Sequence, residues 1–271
     1  MRLKVTPSDA TTRMLFSVVR LTATAMDGAD AVGTGFFFSC EAPGRPFECL
    51  VTNKHVIEGS ESIAFYLHGA ATGTPQYANL GTQTLYTSKA SDWIHHSEPD
   101  VDLCCLPVST FLPDSKRHAA FYLPIPNTSI PSQEELEEFP ASIGVAMIGY
   151  PNGLWDEING LPIIRHGSTA SHPGVPFNAD EKVVVDIACF PGSSGSPIMF
   201  SEPRFFASAQ KFLGVLYAGP TIDVEGKVLV ASIPTTSTSK TLVQTMMHLG
   251  FVISAKKVQE LAELAQAQVV T

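Results

Sequence analysis

β-prone runs, each broken within a few residues by glycine, proline or an Asn/Asp turn, are what most limits the folds open to this chain. Segments 17–24, 33–39, 47–52, 62–67, 83–86 and 101–108 are rich in Val, Phe, Thr, Tyr and Leu, and a second set follows at 144–150, 162–165, 182–188, 196–200, 212–217 and 227–232. β-branched and aromatic side chains suit a pleated, half-buried surface. Turn residues at this density, 20 Gly and 20 Pro in 271 residues, leave no room for the helices that a parallel sheet needs between its strands. The pattern points to an all-β sandwich or barrel, and the first six runs suffice for one small barrel.

Between the two sets the character changes. Ser132 and Glu135 have capping-box spacing, Leu136 and Phe139 share a helical face, and Pro131 and Pro140 confine that helix to a turn or two. The organisation expected is a first β unit over 1–130, a connector over 131–143, a second β unit over 144–235 and a helical segment over 236–271. In the last, Thr238 or Ser239 can cap a helix carrying Leu242, Val243, Met246, Met247 and Leu249, with Gly250 as its stop. Ser254 opens a final helix with Val258, Leu261 and Leu264 on one stripe.

Composition excludes several functions. A net charge of −9 is no footprint for nucleic acid. No stretch reaches the roughly 18 apolar residues of a membrane span. The first ten residues lack the apolar core of a secretion signal, so the expected location is cytoplasmic, with no membrane partner. Of five cysteines, Cys104 and Cys105 are adjacent on a strand, must face opposite ways, and read as small core hydrophobes. Cys40 and Cys49 could meet across a hairpin. His95 and His96 cannot both face one ion from an extended strand, and neither a metal nor any other cofactor is expected.

The chemistry is concentrated in Phe190-Pro191-Gly192-Ser193-Ser194-Gly195-Ser196-Pro197. A serine in a glycine-rich turn after an apolar strand is how a weak alcohol nucleophile is presented, with backbone N–H groups left to face a substrate carbonyl. Two further residues precede it: His55 in Asn53-Lys54-His55-Val56, and Asp102 in Val101-Asp102-Leu103-Cys104. In these roles Ser194 attacks, His55 carries the proton, Asp102 orients the imidazole, and the N–H groups of Gly192 and Ser194 form the oxyanion hole. Asp100 lies two residues away on the same strand face, but it follows Glu98-Pro99 and reads as a loop residue.

With these landmarks in order, joined by Gly33-Thr34-Gly35-Phe36, Ile148-Gly149-Tyr150-Pro151 and Arg165-His166-Gly167-Ser168, the sequence resembles the trypsin-like (chymotrypsin-fold) serine peptidases, nearest the bacterial HtrA-type branch. The resemblance spans about residues 15–235, too little of the chain remaining for a peptide-binding PDZ domain. It implies two packed six-stranded antiparallel β-barrels with the active site between them, and an endopeptidase acting through an acyl-enzyme. It also implies an S1 pocket with Ala188 at its base, Cys189 nearby and Tyr217, Ala218 and Gly219 along one wall. With no charge at that base, small or medium apolar P1 residues are expected; Asp186, an alternative anchor for a basic side chain, reads as structural. Ser193 stands where digestive relatives carry the aspartate that pairs with a newly cut N-terminus, so no such activation is expected. Ser196 replaces a usual glycine. The partner is a protein or peptide substrate, and the C-terminal helices either pack on the barrels or engage a regulatory protein. Two rival readings are an enzyme active only inside a complex and a catalytically silent scaffold.

Overall fold

A computed structural model describes residues 4–5, 7–42, 46–71, 78–202, 211–227 and 240–270. The first half is built on β1 (Val18–Ala25), β2 (Asp30–Cys40), β3 (Phe47–Thr52), β4 (Ser60–Ala70), β5 (Ala78–Lys89) and β6 (Cys104–Pro107). They hydrogen-bond in the order β5-β4-β1-β2-β3-β6. Short strands at Lys4–Val5 and Ile94–His95 extend the two edges, and Ala120–Phe121 and Ile125–Pro126 add to β4 and β2, making a ten-stranded sheet. The sheet coils around one interior of Leu21, Phe37, Leu50, Ile63, Phe65 and Leu106. The Trp93 indole N–H, donating to Ser88 Oγ at 3.0 Å, ties the segment before β6 back to β5.

The second half is a closed six-stranded barrel, as expected. Its strands are β7 (Gly144–Gly149), β8 (Ile163–Thr169), β9 (Lys182–Asp186), β10 (Pro197–Phe200), β11 (Phe212–Ala218) and β12 (Leu249–Ser254), in the order β7-β8-β9-β12-β11-β10. Val145, Met147, Val185, Ile198, Phe200 and Val252 fill it. The connector helix α1 (Gln133–Glu137) forms where the capping box lies. Glu135 N–H donates to Ser132 Oγ at 3.2 Å, and Ser132 N–H donates to Glu135 Oε2 at 2.9 Å. Lys211, just before β11, holds Glu135 at 2.6 Å and so fastens the connector to the barrel.

Strand alternation decides how the halves meet. Phe36, Phe37 and Phe38 are all fully buried, but only Phe37 enters the first interior. Phe36 and Phe38 point the other way, to Phe212 of β11 at 5.6 and 6.2 Å between ring centroids. Cys104 and Cys105 divide in the same manner, one into each cluster. Helix α2 (Ala255–Val270) completes the shared cluster with Val258, Leu261, Ala262 and Ala265, all fully buried. Its spacing of three and four residues supplies one apolar stripe.

The structure corrects the expected helix over 239–250. Lys240–Met246 is a strand pairing with Thr221–Lys227 in a two-stranded ribbon, and residues 249–254 are β12, so the second barrel extends past 235. The capping residues Thr238 and Ser239, the 235/236 boundary and most of the expected strand at 227–232 lie outside the described residues. All five cysteines are free and buried. Cys49 lies opposite Phe38 and Cys40 opposite Phe47, so register keeps the two thiols out of facing positions.

Candidate active site

His55 sits in a four-residue helical turn, Lys54–Ile57, directly after β3. Val56 and Ile57 of that turn are buried and anchor it, leaving the imidazole 44% exposed. Asp102 precedes β6, the neighbour of β3, and cross-strand proximity brings the two together. The His55 backbone N–H donates to Asp102 Oδ1 at 3.1 Å, and His55 Nδ1 lies 2.5 Å from Oδ2. Asn53 Nδ2 donates to the Asp102 carbonyl at 2.8 Å, fixing the backbone that carries the carboxylate. Asp100 is exposed in the preceding loop.

Ser194 comes from the other half, in the turn before β10. Its carbonyl accepts the Thr34 N–H at 2.9 Å, and Thr34 Oγ1 donates to the Gly192 carbonyl at 3.0 Å. The Thr34 carbonyl accepts Thr52 Oγ1 at 2.8 Å, three residues before His55. Thr34 is thus the joint between the serine turn and the strand that ends at the histidine. Gly195 adopts φ +84°, and a Cβ there would overlap the Thr34 carbonyl oxygen, so this joint requires glycine. Gly192 also has φ +84°, with the Tyr150 carbonyl 2.6 Å from where its Cβ would lie.

The donors around Ser194 divide in two. Ser193 N–H is spent on the Phe190 carbonyl at 3.0 Å, Gly195 N–H on Leu216 at 2.9 Å and Ser196 N–H on Ser193 at 3.0 Å. The N–H groups of Gly192 and Ser194 donate to nothing among the described residues. The half-buried Ser194 hydroxyl makes no hydrogen bond there either, including none to His55. Hydrogen bonds of this kind often tighten only when substrate is bound.

Around the expected S1 pocket, Ala188 is half-buried and Cys189 buried, its thiol pushed up to about 11 by desolvation. Tyr217 is half-buried, with Lys182 Nζ 5.7 Å from its ring centroid; Ala218 is exposed and Gly219 half-buried. Asp186 is exposed. Sequence reasoning missed Arg165: from β8 its Nη2 donates to Ser193 Oγ at 2.7 Å, and its Nη1 donates to the Ala188 carbonyl. A lone arginine in a strand gives no signal of such a reach. It also missed that folding gathers His96, Glu98 and Glu260, whose ligand-type atoms lie within 4.8 Å of one another. A cation already occupies that cluster, because Lys257 Nζ contacts Glu98 at 2.7 Å and Glu260 at 3.1 Å.

Two β units facing one another across a His–Asp pair and a glycine-framed serine define the chymotrypsin-like class of serine proteases. The family model of the trypsin-like peptidase domain matches residues 33–207, and the chain belongs to that family as a serine endopeptidase. Among solved structures, HL collagenase is 16% identical over 95% of this chain and 96% of its own, with a TM-score of 0.52. The thermostable serine protease AL20 from an extremophilic microorganism is 11% identical, over 93% and 97%, with a TM-score of 0.50. The active form of the Rv3671c protease from M. tuberculosis is 18% identical over 92% and 80%, with a TM-score of 0.48. No curated protein sequence matches the chain. Among the described residues, no helix is long and apolar enough to cross a membrane.

Proposed function

We propose that this endopeptidase works through a His55–Asp102–Ser194 triad. The observation that carries the reading is the two-point contact of Asp102 with His55, 3.1 Å to the backbone N–H and 2.5 Å to Nδ1. That contact leaves Nε2 as the ring's proton acceptor. Ser194 then attacks the scissile carbonyl of a protein or peptide, and its proton passes to His55 Nε2. The uncommitted N–H groups of Gly192 and Ser194 hold the oxyanion, and collapse to the acyl-enzyme sends the same proton to the leaving amine.

For the P1 side chain the reading is a small or medium apolar group. In support, Ala188 and Cys189 supply no carboxylate, and the Arg165 guanidinium against the Ala188 carbonyl sets a positive charge beside the proposed base. Lysine or arginine is repelled there.

A fluorophosphonate probe on the full chain tests the triad. Labelling that disappears in Ser194→Ala and falls steeply in His55→Ala is the expected result. Absence of labelling in the wild type, or labelling that survives Ser194→Ala, overturns it. A peptide-library digest cut mainly after Lys or Arg overturns the P1 reading alone.

A further inference from the structure

Ser193 is fully buried beside the proposed nucleophile, and none of the chemistry above uses its hydroxyl. That hydroxyl is nonetheless tightly held. It accepts Arg165 Nη2 at 2.7 Å and faces the Phe190 N–H at 3.4 Å, while the Ser193 N–H closes back on the Phe190 carbonyl at 3.0 Å. The same guanidinium donates through Nη1 to the carbonyl of Ala188. One side chain on β8 therefore grips both ends of the 188–193 segment, which together with the next residue, Ser194, carries the two uncommitted N–H groups.

The charge on that grip is unusual. Among the described residues no carboxylate pairs with Arg165, and its Nε is buried without a hydrogen-bond partner. Burial lowers its pKa from the ordinary guanidinium value. Withdrawing even a half-buried cation from water without a counter-charge is costly for the fold, whereas hydrogen bonds from a charged donor to neutral oxygens are about twice as strong as neutral ones. An apolar residue would fill this place at less cost if packing were the only requirement.

We propose that Arg165 is a positioning residue that clamps the oxyanion turn, holding Ser193 and Ala188 so that the Gly192 and Ser194 N–H groups converge on one point. The inference rests on the triad reading above. It gives the turn an internal cation, carried by β8, in the place where the resemblance would otherwise bring in a cleaved N-terminus. The turn is then built whether or not the N-terminus is processed.

Saturation kinetics of fluorophosphonate labelling on full-length Ser193→Ala, Arg165→Lys and Arg165→Met test this, with melting curves to confirm folding. An oxyanion donor acts in the transition state and not in ground-state binding. The expected result is a maximal labelling rate roughly 10–100-fold lower, with the half-saturating concentration within about threefold of wild type. Arg165→Lys, which keeps the charge but reaches one acceptor at a time, should fall between wild type and Arg165→Met. The pH dependence of labelling should not move, because His55 and Asp102 are untouched.

Ser193→Ala deletes a single oxygen, so it carries the test if Arg165→Met does not fold. A folded Ser193→Ala or Arg165→Lys labelling within twofold of wild type overturns the clamp, as does a loss confined to the half-saturating concentration. Failure of the triad reading looks different: Ser194→Ala would still label.

Discussion

Replacing Asp102 by Asn tests the acid at the level of single atoms. Oδ1 is committed to the His55 backbone N–H at 3.1 Å, so in the variant the amide oxygen must take that side. The amide NH2 then occupies the Oδ2 position, 2.5 Å from His55 Nδ1, where it can only donate. Nδ1 becomes an acceptor and the ring proton moves to Nε2, the nitrogen that has to receive the Ser194 proton. The opposite amide rotamer sets NH2 against the backbone N–H and is excluded. The backbone does not drift, because Asn53 holds the Asp102 carbonyl at 2.8 Å. A triad locked in the wrong tautomer loses about 10⁴ in kcat, which at 1.36 kcal/mol per decade is about 5 kcal/mol of transition-state stabilisation. Steady-state cleavage of a fluorogenic peptide with an apolar P1 residue reads this directly, with Asp100→Asn as the control expected near wild type. Asp102→Asn activity within about tenfold of wild type, or a crippled Asp100→Asn, refutes the tautomer argument.

Two further predictions concern the scaffold. Gly195→Ala puts a Cβ onto the Thr34 carbonyl oxygen at φ +84°, where a left-handed conformation alone costs about 1–2 kcal/mol. Its melting temperature should fall by about 5 °C or more along with activity, and an unchanged melt with full activity contradicts the joint at Thr34. Burial holds His68 below its ordinary 6.5, so the unfolded chain takes up the proton first. The stability it contributes is present above pH 6.5 and is lost as pH falls toward the lowered value. His68→Phe keeps a ring edge-on to Phe16, which lies 5.4 Å from the His68 ring in the native protein, and should lessen the fall in melting temperature as pH drops below 6.5. His96 shifts the same way, so some slope persists; an unaltered slope rules out His68 as a source.

What could be read from the sequence followed the two-residue period of strands. Phe36-Phe37-Phe38 and Cys104-Cys105 announce buried strands with two apolar faces, and their division between clusters is what alternation requires. Ser132 and Glu135 marked the connector because a capping box is a local bargain between neighbours. The expected helix over 239–250 failed for the opposite reason. Leu242, Val243 and Met246 fit a helical period, yet pairing with 221–227 claims that backbone, and partners as far apart as Thr221 and Met246 leave no local mark. Phe251-Val252-Ile253 did carry a strand signal, in its β-branched and aromatic run. Arg165 was illegible because its partners, Ala188 and Ser193, lie more than twenty residues along and bind through groups that any sequence contains.

Helix α2 sets the timetable for assembly. Val258, Leu261, Ala262 and Ala265 plug the seam lined by Phe36, Phe38 and Phe212, and Lys257 ties the helix to Glu98 of one half and Glu181 of the other. A nascent chain cannot seal that interior until Ala265 has left the ribosome. Both walls of the cleft are synthesised before the wedge that holds them in register, so the two halves first meet along a seam still open on one side.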